Sequence, residues 1–436
     1  MADRFFVEGF SKKNKEQKID WLRQTYLKNK PEDIEILRKY WLPDKHLQSL
    51  HEGFAENTLS NFTLPFAVAP NFLINGKLYA VPMVTEESSV VAAAAKAAKF
   101  WFEHGGFRAE VKGKIKTGHI HFFYDGSPAD LQKFLDDHKQ EYAERLRPFT
   151  ENMEKRGGGI RSVELENHSD KLPGYYTWTF RFDTADSMGA NFINTILEEW
   201  SDYFEEDFAR EYGRKPEVLL RILSNYNPEC LVKVRGEAVI SALKTGMSGE
   251  EYARRFVKAL DIARVNPYRA VTHNKGIMNG IDAVVLATGN DFRAVEAGAH
   301  AYASRSGKYT SLSNAFIRDG KLIFEMEIPL ALGTVGGVTR IHPMAKTALD
   351  ILQNPDAEEL MKIAAATGLA QNFSAVHSLI TEGIQKGHMR MHLNNILLQM
   401  NVTEEERKKL SDYFRNKKVH VRAVKEKLEE WRKNRA

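Results

Sequence analysis

Three stretches of this sequence set ionisable side chains among small residues, where backbone and solvent leave room for a ligand. The first is HNKGIMNGIDAVVLATGNDFRAVEAGAH, with Lys275 upstream of a short apolar run and Asp291 downstream. Lys275 falls in the Gly/Asn-rich KGIMNG, read as a loop, and AVVLA reads as a short buried strand. A lysine drawn out of water needs a carboxylate, because an unpaired charge in low dielectric is costly. Asp291 is that partner if the loop folds back over the strand end, and a lysine so held would stabilise a developing oxyanion. The plainer reading makes Asp291 a residue that satisfies the first N–H groups of the helix FRAVEAGAHAYA. The second stretch is VTEESSVVAAAAKAAK, with Glu86 and Glu87. These carboxylates either favour a helix start electrostatically or include a proton donor raised in pKa by burial. The third is QKGHMRMHLNN, where His388 follows a glycine at the start of a helical run. A lone histidine there is either structural or, on a mobile segment over a cleft, a donor near neutral pH.

Two glycine-rich turns could hold an anion instead. DSMGAN, Asp186 to Asn191, opens a helix, and GTVGG, Gly333 to Gly337, follows a strand. Either turn could offer backbone N–H groups to a phosphate. Neither is GxGxxG, and the chain has no P-loop, so a dinucleotide would not bind in the standard Rossmann manner.

The elements that must position these groups can be read from the pattern. The first fifty residues are amphipathic and helical, with Pro31 at a helix start. NFTLPFAVAPNFLINGKLYAVPMV reads as two strands about an Asn75-Gly76 turn, followed by a small-residue helix that ends at Gly105-Gly106. From Arg108 to Ile222 the order is β-α-β-β-α-β, which suggests an inserted ferredoxin-like unit. Its first helix is expected to run unbroken through PADLQKFLDDHKQEYAERLRPFTENMEKR. A helix, the quoted stretch, the strand segment KLIFEMEIPLALGTVGG and a run of helices follow, with a capping box at Thr403 and Glu406. The expected fold class is a multidomain α/β or α+β protein. A large mixed α/β domain (1–107 and 223–375) is interrupted by a small domain (108–222), and a helical flap (376–436) closes the chain.

Composition excludes several classes. At 436 residues, with 43% hydrophobic and 28% charged, the chain can build a substantial core. No apolar run is long enough for a transmembrane helix, and the N-terminus carries no secretory pattern, so no membrane role is expected. The single Cys230 cannot form an internal disulfide or a zinc site alone, which fits a reducing, cytoplasmic setting with no metal. Residues 403–436 hold 12 Lys/Arg against 7 Asp/Glu, so the net charge of +4 belongs to the tail. A tail so mixed in sign reads as solvated helix faces, and no nucleic-acid motif accompanies it.

Taken together, ENTLSNFTLPFAVAPNF, VPMVTEESSVVAAAA, DSMGANFINT, NPYRAVTHNKGIMNGIDAVVLATGNDFRAVEAGAHAYA, LALGTVGG and TEGIQKGHM resemble, in this order, the 3-hydroxy-3-methylglutaryl-CoA (HMG-CoA) reductases of the class found mainly in bacteria and some archaea. The resemblance runs from about Glu56 to Met389. It implies a four-electron reduction of the HMG-CoA thioester to mevalonate and CoA, with two nicotinamide cofactors, through a hemithioacetal and an aldehyde. It gives Lys275 the oxyanion, Glu87 the proton donation, Asp291 the coupling of the two, and His388 the protonation of the departing thiolate. It makes Ser89, Arg269, Asn279, Gln371 and Asn372 substrate contacts, with Arg269 suited to the HMG carboxylate. It assigns the cofactor to Asp186, Ser187, Met188, Gly189, Ala190 and Asn191 on the small domain, near Gly333, Thr334, Val335, Gly336 and Gly337 of the large one. It also implies a homodimer or higher even oligomer, its active site at the interface, and a flap that closes over that site. ENTLS stands in place of an ENVIG-like dimer segment, Ser88 in place of a proline, and Phe292 where tryptophan is common. The same chemistry run oxidatively, in mevalonate catabolism, and an inactive CoA- or nucleotide-binding homologue are the alternative readings. NADH-using relatives place an aspartate where this chain has Thr150. Arg145, Arg147 and Lys155 lie nearby, so NADPH is expected to serve at least as well as NADH.

Overall fold

The computed structural model describes residues 5–27, 30–243, 245–381, 393, 396, 397, 399, 400, 402–414, 417 and 419–433. The chain divides into two compact units, Met1–Pro65 and Phe66–Ala436. The first holds three helices: α1 (Lys15–Thr25), α2 (Pro31–Lys39) and α3 (Lys45–Glu52). Asn14 and Gln17 form a capping box on α1, Pro31 opens α2, and Asp44 caps α3.

The second unit begins with the expected hairpin. Strands β1 (Phe66–Ile74) and β2 (Lys77–Val84) meet at Asn75 and Gly76, whose φ angles of 51° and 84° give the left-handed turn that matches strand twist. Then come α4 (Val90–Phe102), β3 (Phe107–Val111), β4 (Ile115–Phe123), α5 (Pro128–Arg145), α6 (Arg147–Glu154), β5 (Gly159–Asn167), β6 (Tyr175–Asp183), α7 (Ala190–Tyr212), β7 (Glu217–Leu223) and β8 (Leu231–Val239). The remaining elements that bear on the site are α8 (Gly249–Val265), α9 (Pro267–Ala287), α10 (Phe292–Ala303), β9 (Ser313–Arg318), β10 (Lys321–Pro329), α11 (Gly337–Ile341), α12 (Pro343–Ile351) and α13 (Ala357–Ile380).

Two sheets organise this unit. One is mixed, in the order β2-β1-β3-β8-β10-β9, and the other is antiparallel, β5-β6-β4-β7. The second order is 2-3-1-4 for a β-α-β-β-α-β segment, the ferredoxin-like arrangement read from the sequence. The chain leaves the large sheet after β3 and returns at β8, and these two strands pair with each other. An insertion there interrupts no hydrogen-bonded edge. The small sheet has an aromatic core of its own, including Phe122, Phe134, Trp178, Phe180 and Phe204. The C-terminal helices Glu404–Tyr413 and Val421–Lys433 share another, around Leu410, Val424 and Leu428.

Two expectations fail. The helix expected after β4 breaks into α5 and α6, because Pro148 has no N–H to continue the ladder. KGIMNG is not a loop and AVVLA is not a strand: both lie within α9. Buried positions recur at helical spacing, from Ala270 through His273, Asn274, Ile277, Met278 and Ile281 to Val284 and Val285. AVVLA looks strand-like only because the helix is packed on more than one side there.

That packing is close. α13 is buried from Ala357 almost to its end, as a helix apolar on all faces must be, and α9 lies against it. A Cβ at Gly280 would sit 2.7 Å from the Thr367 carbonyl oxygen, and one at Gly368 would sit 2.6 Å from Ile281. Each glycine costs its helix about 1 kcal/mol, and the contact between the two helices offsets it. Gly280→Val is therefore expected to destabilise the protein by roughly 1–3 kcal/mol or more, read as a lowered Tm. An unchanged Tm would show that the two helices are not held at this distance.

Candidate active site

The two glycine-rich turns meet. Thr334 donates its N–H to the Asp186 carbonyl at 2.8 Å, and Ser187 and Val335 form a parallel bridge. Asn290 clasps Gly333 from the other side, donating to its carbonyl at 2.9 Å and accepting from its N–H at 2.8 Å. The approach requires glycine, since a Cβ at residue 333 would lie 2.4 Å from the Met188 nitrogen. Beneath the turn, the buried Lys116 donates to the Ser187 carbonyl at 2.6 Å and to the Thr184 hydroxyl. Burial holds its pKa below the usual lysine value.

Above the joined turns lies a cleft of about 1010 Å³. Ser187, Met188, Gly189, Ala190 and Asn191 line it with all five residues of GTVGG. Helix α7 starts there at Gly189, with no side chain capping its N-terminus, so its first amides are open to an anion. Arg156, Arg340 and Lys346 also line the cleft, and among the described residues Asp291 is its one carboxylate. None of these three cations has an ion-pair partner among the described residues.

Two expected cofactor contacts go elsewhere. Asp186 does not line the cleft, because its carboxylate accepts from the Ala357 N–H at 2.9 Å and so caps α13. Thr150 is buried within α6, and the same region reaches the cleft through Met153 and Arg156 instead. The bases named beside Thr150 are already paired: Arg145 with Asp207, Arg147 with Glu144 and Lys155 with Glu151. No motif in the sequence marks Arg156, just before the triple glycine. Lys116 is marked only by strand alternation in IKTGHIHFF, which puts it with the inward Gly118, Ile120 and Phe122.

The second part of the site is the open face of α9. Tyr268, Thr272, Lys275, Asn279 and Asp282 recur at helical spacing and stay at least partly exposed. Lys275 Nζ donates to Glu87 Oε2 at 2.9 Å. The expected partner, Asp291, instead caps α10 through the Arg293 and Ala294 N–H groups, at 3.0 and 3.2 Å, and pairs with Arg293. The physical reason is the helix itself: with no loop to fold back, Lys275 points from mid-helix toward the turn that carries Glu87. Neither partner is buried, with side-chain exposures of 60% and 40%. An exposed pair is worth at most about 1 kcal/mol, so this one positions charge rather than holding the fold together. Glu87 is thus not the buried acid that the sequence reading expects.

The remaining expected residues separate into two groups. Ser89 precedes α4 with φ 84° and caps nothing, Asn279 is on the open α9 stripe, and half-buried Arg269 has no carboxylate partner among the described residues. These three stay available. Gln371 is buried against Gly280 with Oε1 unpartnered. Asn372 is only 1% exposed, accepts from Ser313 Oγ at 2.8 Å and donates to the His273 carbonyl at 3.3 Å. Its side chain is held in the core by these two bonds. His388 lies outside the described residues.

Comparison with known proteins converges on one family. Residues 15–393 match the sequence model described as Hydroxymethylglutaryl-coenzyme A reductase. The 3-hydroxy-3-methylglutaryl-coenzyme A reductase of Archaeoglobus fulgidus is 37% identical over 98% of this chain and 94% of its own. Among solved structures, the Streptococcus pneumoniae enzyme of that name superposes with a TM-score of 0.73 at 34% identity, covering 97% of this chain and 99% of the other. A class II structure from the same organism, described as bound to NADPH in open conformations, gives 0.72 at 36% identity, covering 86% and 99%.

The buried network around Asn372 makes a stability prediction. His273 bonds Ser313 at 2.6 Å, and burial, with Arg269 adding to it, lowers its pKa from 6.5 to about 3. A histidine depressed in the folded state stabilises fully above its unfolded pKa, and that contribution is lost as pH falls toward the folded one. Denaturant unfolding should thus show stability falling between about pH 6.5 and pH 3, more steeply in the wild type than in His273→Gln. Equal slopes would assign the acid sensitivity elsewhere.

Proposed function

The chain belongs to the hydroxymethylglutaryl-coenzyme A reductase family, and from that premise we propose that it reduces (S)-HMG-CoA to (R)-mevalonate and CoA, with two equivalents of NADPH or NADH. The observation that carries this reading is the Lys275–Glu87 ion pair, at 2.9 Å on the open face of α9. A cation fixed beside a carboxylate suits a carbonyl that becomes an oxyanion. Lys275 stabilises the negative oxygen as it forms, and Glu87 supplies the proton. Arg269, short of a carboxylate of its own, takes the HMG carboxylate. Ser89, Asn279 and Gln371 are assigned further substrate contacts, as the family resemblance implies. Asp291 links the α9 site to the cofactor cleft that it lines. His388 is assigned the departing thiolate, as the family resemblance implies.

The cleft over the joined turns suits a nicotinamide dinucleotide. The bound cofactor would supply the hydride. The open amides of α7 would hold its phosphates, and Arg156, Arg340 and Lys346 would favour the extra 2′-phosphate of NADPH. We assign residues 108–222 to the cofactor-carrying domain, 1–107 and 223–375 to the substrate domain, and 376–436 to a flap. A homodimer or higher even oligomer is supported by an exposed apolar row, Ile262, Val265, Tyr268 and Val271, beside Arg269. Among the described residues no helix is long and apolar enough to cross a membrane. A cytoplasmic setting is consistent with the one buried cysteine.

Loss of nicotinamide absorbance with HMG-CoA, alongside titration of released CoA thiol, tests the activity. Lys275→Ala should lower kcat by about 10²–10³-fold while stability stays within about 0.5 kcal/mol of wild type. Retained activity would remove Lys275 from the chemistry. For the cofactor, Arg156→Ala should raise the KM for NADPH about tenfold or more and leave that for NADH nearly unchanged. Equal effects on the two would mean that Arg156 does not meet the 2′-phosphate.

A further inference from the structure

Below Lys275 the open stripe of α9 leads to a residue that the site above does not use. Asp282 lies seven residues on, two helical turns along the same face. Its side chain shares a hydrogen bond with Glu296 of α10, carboxyl to carboxylate. Its Oδ1 is buried and receives no hydrogen bond from an N–H or hydroxyl group among the described residues. A charged carboxylate oxygen left so would be costly, whereas the carbonyl oxygen of a neutral acid tolerates the position far better. Two carboxylates in contact also resist joint ionisation. Burial and the hydrogen bond and charge of Glu296 all push Asp282 well above the usual carboxylate range. Glu86 adds to the shift, and Lys275 opposes it.

Glu296 is held from the far side as well. His300 Nε2 bonds its carboxylate at 2.7 Å, one helical turn along α10, and this bond, ahead of the one from Asp282, keeps Glu296 below its ordinary value. His300 Nδ1 lies 2.7 Å from the Tyr309 hydroxyl, which accepts from Asn274 Nδ2 at 3.0 Å. With Nε2 carrying the proton of a neutral ring, all donors run one way: Asn274 to Tyr309, Tyr309 to His300, His300 to Glu296. Tyr309 adjoins the exposed residues 304–308. His300 and Glu296 keep 37% and 32% of their side chains exposed, so the chain of bonds opens to solvent beside the carboxyl pair.

We propose that Asp282 and Glu296 hold one proton between them on the Lys275 face of α9, and that His300 and Tyr309 connect this store to solvent, so that it replaces the proton each reduction removes from the site. The purpose of the store rests on the reductase reading, while its geometry does not. Each hydride leaves an oxyanion that takes a proton from the Lys275–Glu87 pair. The Asp282 O–H bond then breaks, and its proton passes along the open face of α9, past Asn279, to restore that pair. Asp282 is left as a carboxylate until a proton enters through Tyr309, His300 and Glu296. No electrons move. Asp282, Glu296 and His300 are positioning residues, since they act through Lys275 and Glu87.

The test combines infrared spectroscopy of the protein without ligand and the kinetics of HMG-CoA reduction. The wild type should show a protonated-carboxyl band at neutral pH, which Asp282→Asn removes. In the same variant kcat should fall about tenfold or more, with KM nearly unchanged and a larger solvent deuterium isotope effect. Asp282→Glu should restore part of the loss. Glu296→Gln should keep the band but move its loss, and the alkaline limb of kcat, to lower pH, because it removes the charge that holds the proton. Absence of an Asp282-dependent band would overturn the store even in a fully active enzyme. A band with unchanged kcat, isotope effect and alkaline limb in Asp282→Asn would overturn the resupply. A wild type that shows the band yet reduces HMG-CoA with neither cofactor would overturn the resupply together with the reductase reading, while leaving the shared proton established.

Discussion

The site depends on two helices touching backbone to backbone. α9 carries Lys275, Asn279 and Asp282 on its open face, and α13 carries Gln371 and Asn372. Glycine at 280 and 368 allows the close approach, and the approach fixes how far the polar stripe stands above the core. A side chain at either position would push α9 outward by the thickness of a methyl group. Lys275 would then meet Glu87 at another distance, because Glu87 is fixed separately by the turn ahead of α4. Positioning of the charged pair thus comes from apolar packing, and the pair contributes little to the packing in return.

A second constraint acts at the other end of the site. The turns at Ser187 and Val335 belong to different sheets, and the Thr334 and Val335 N–H groups join them by donating to the Asp186 carbonyl, while Asn290 holds Gly333 on one side and Lys116 holds Ser187 on the other. Asp186 reaches further still, to the first amide of α13. One helix therefore supports both halves, through Gly368 under α9 and through its N-terminus under the turn. Joined through their backbones, the turns leave the uncapped first amides of α7 open to the cleft. Its rim is cationic, which suits a ligand rich in phosphate.

Buried polar groups mark where packing alone was not the outcome. Lys116, Asp282 and His273 are each shifted toward the neutral form by burial. Lys116 fastens the turn and His273 belongs to the core network with Asn372, so both serve structure. Asp282 is the one that shares the open face of α9 with Lys275.

Much of this was legible in the chain. Turn chemistry identified the Asn75-Gly76 hairpin, caps identified helix starts at Pro31 and Thr403, and element order identified the antiparallel four-stranded sheet. These follow from local rules, in which a residue acts on its own backbone or on a neighbour a few positions away. The order of motifs was enough to assign the family. Tertiary structure decided what depends on distant neighbours. AVVLA reads as strand or helix until α13 is known to lie against it. The partner of Lys275 changes with that answer, because a helix presents the lysine to Glu87 and leaves Asp291 to cap α10. Thr150, Asp186 and Asn372 have side chains that could meet a ligand, yet burial and hydrogen bonding commit them to the protein. Sequence sets which groups are available, and packing decides which of them remain free.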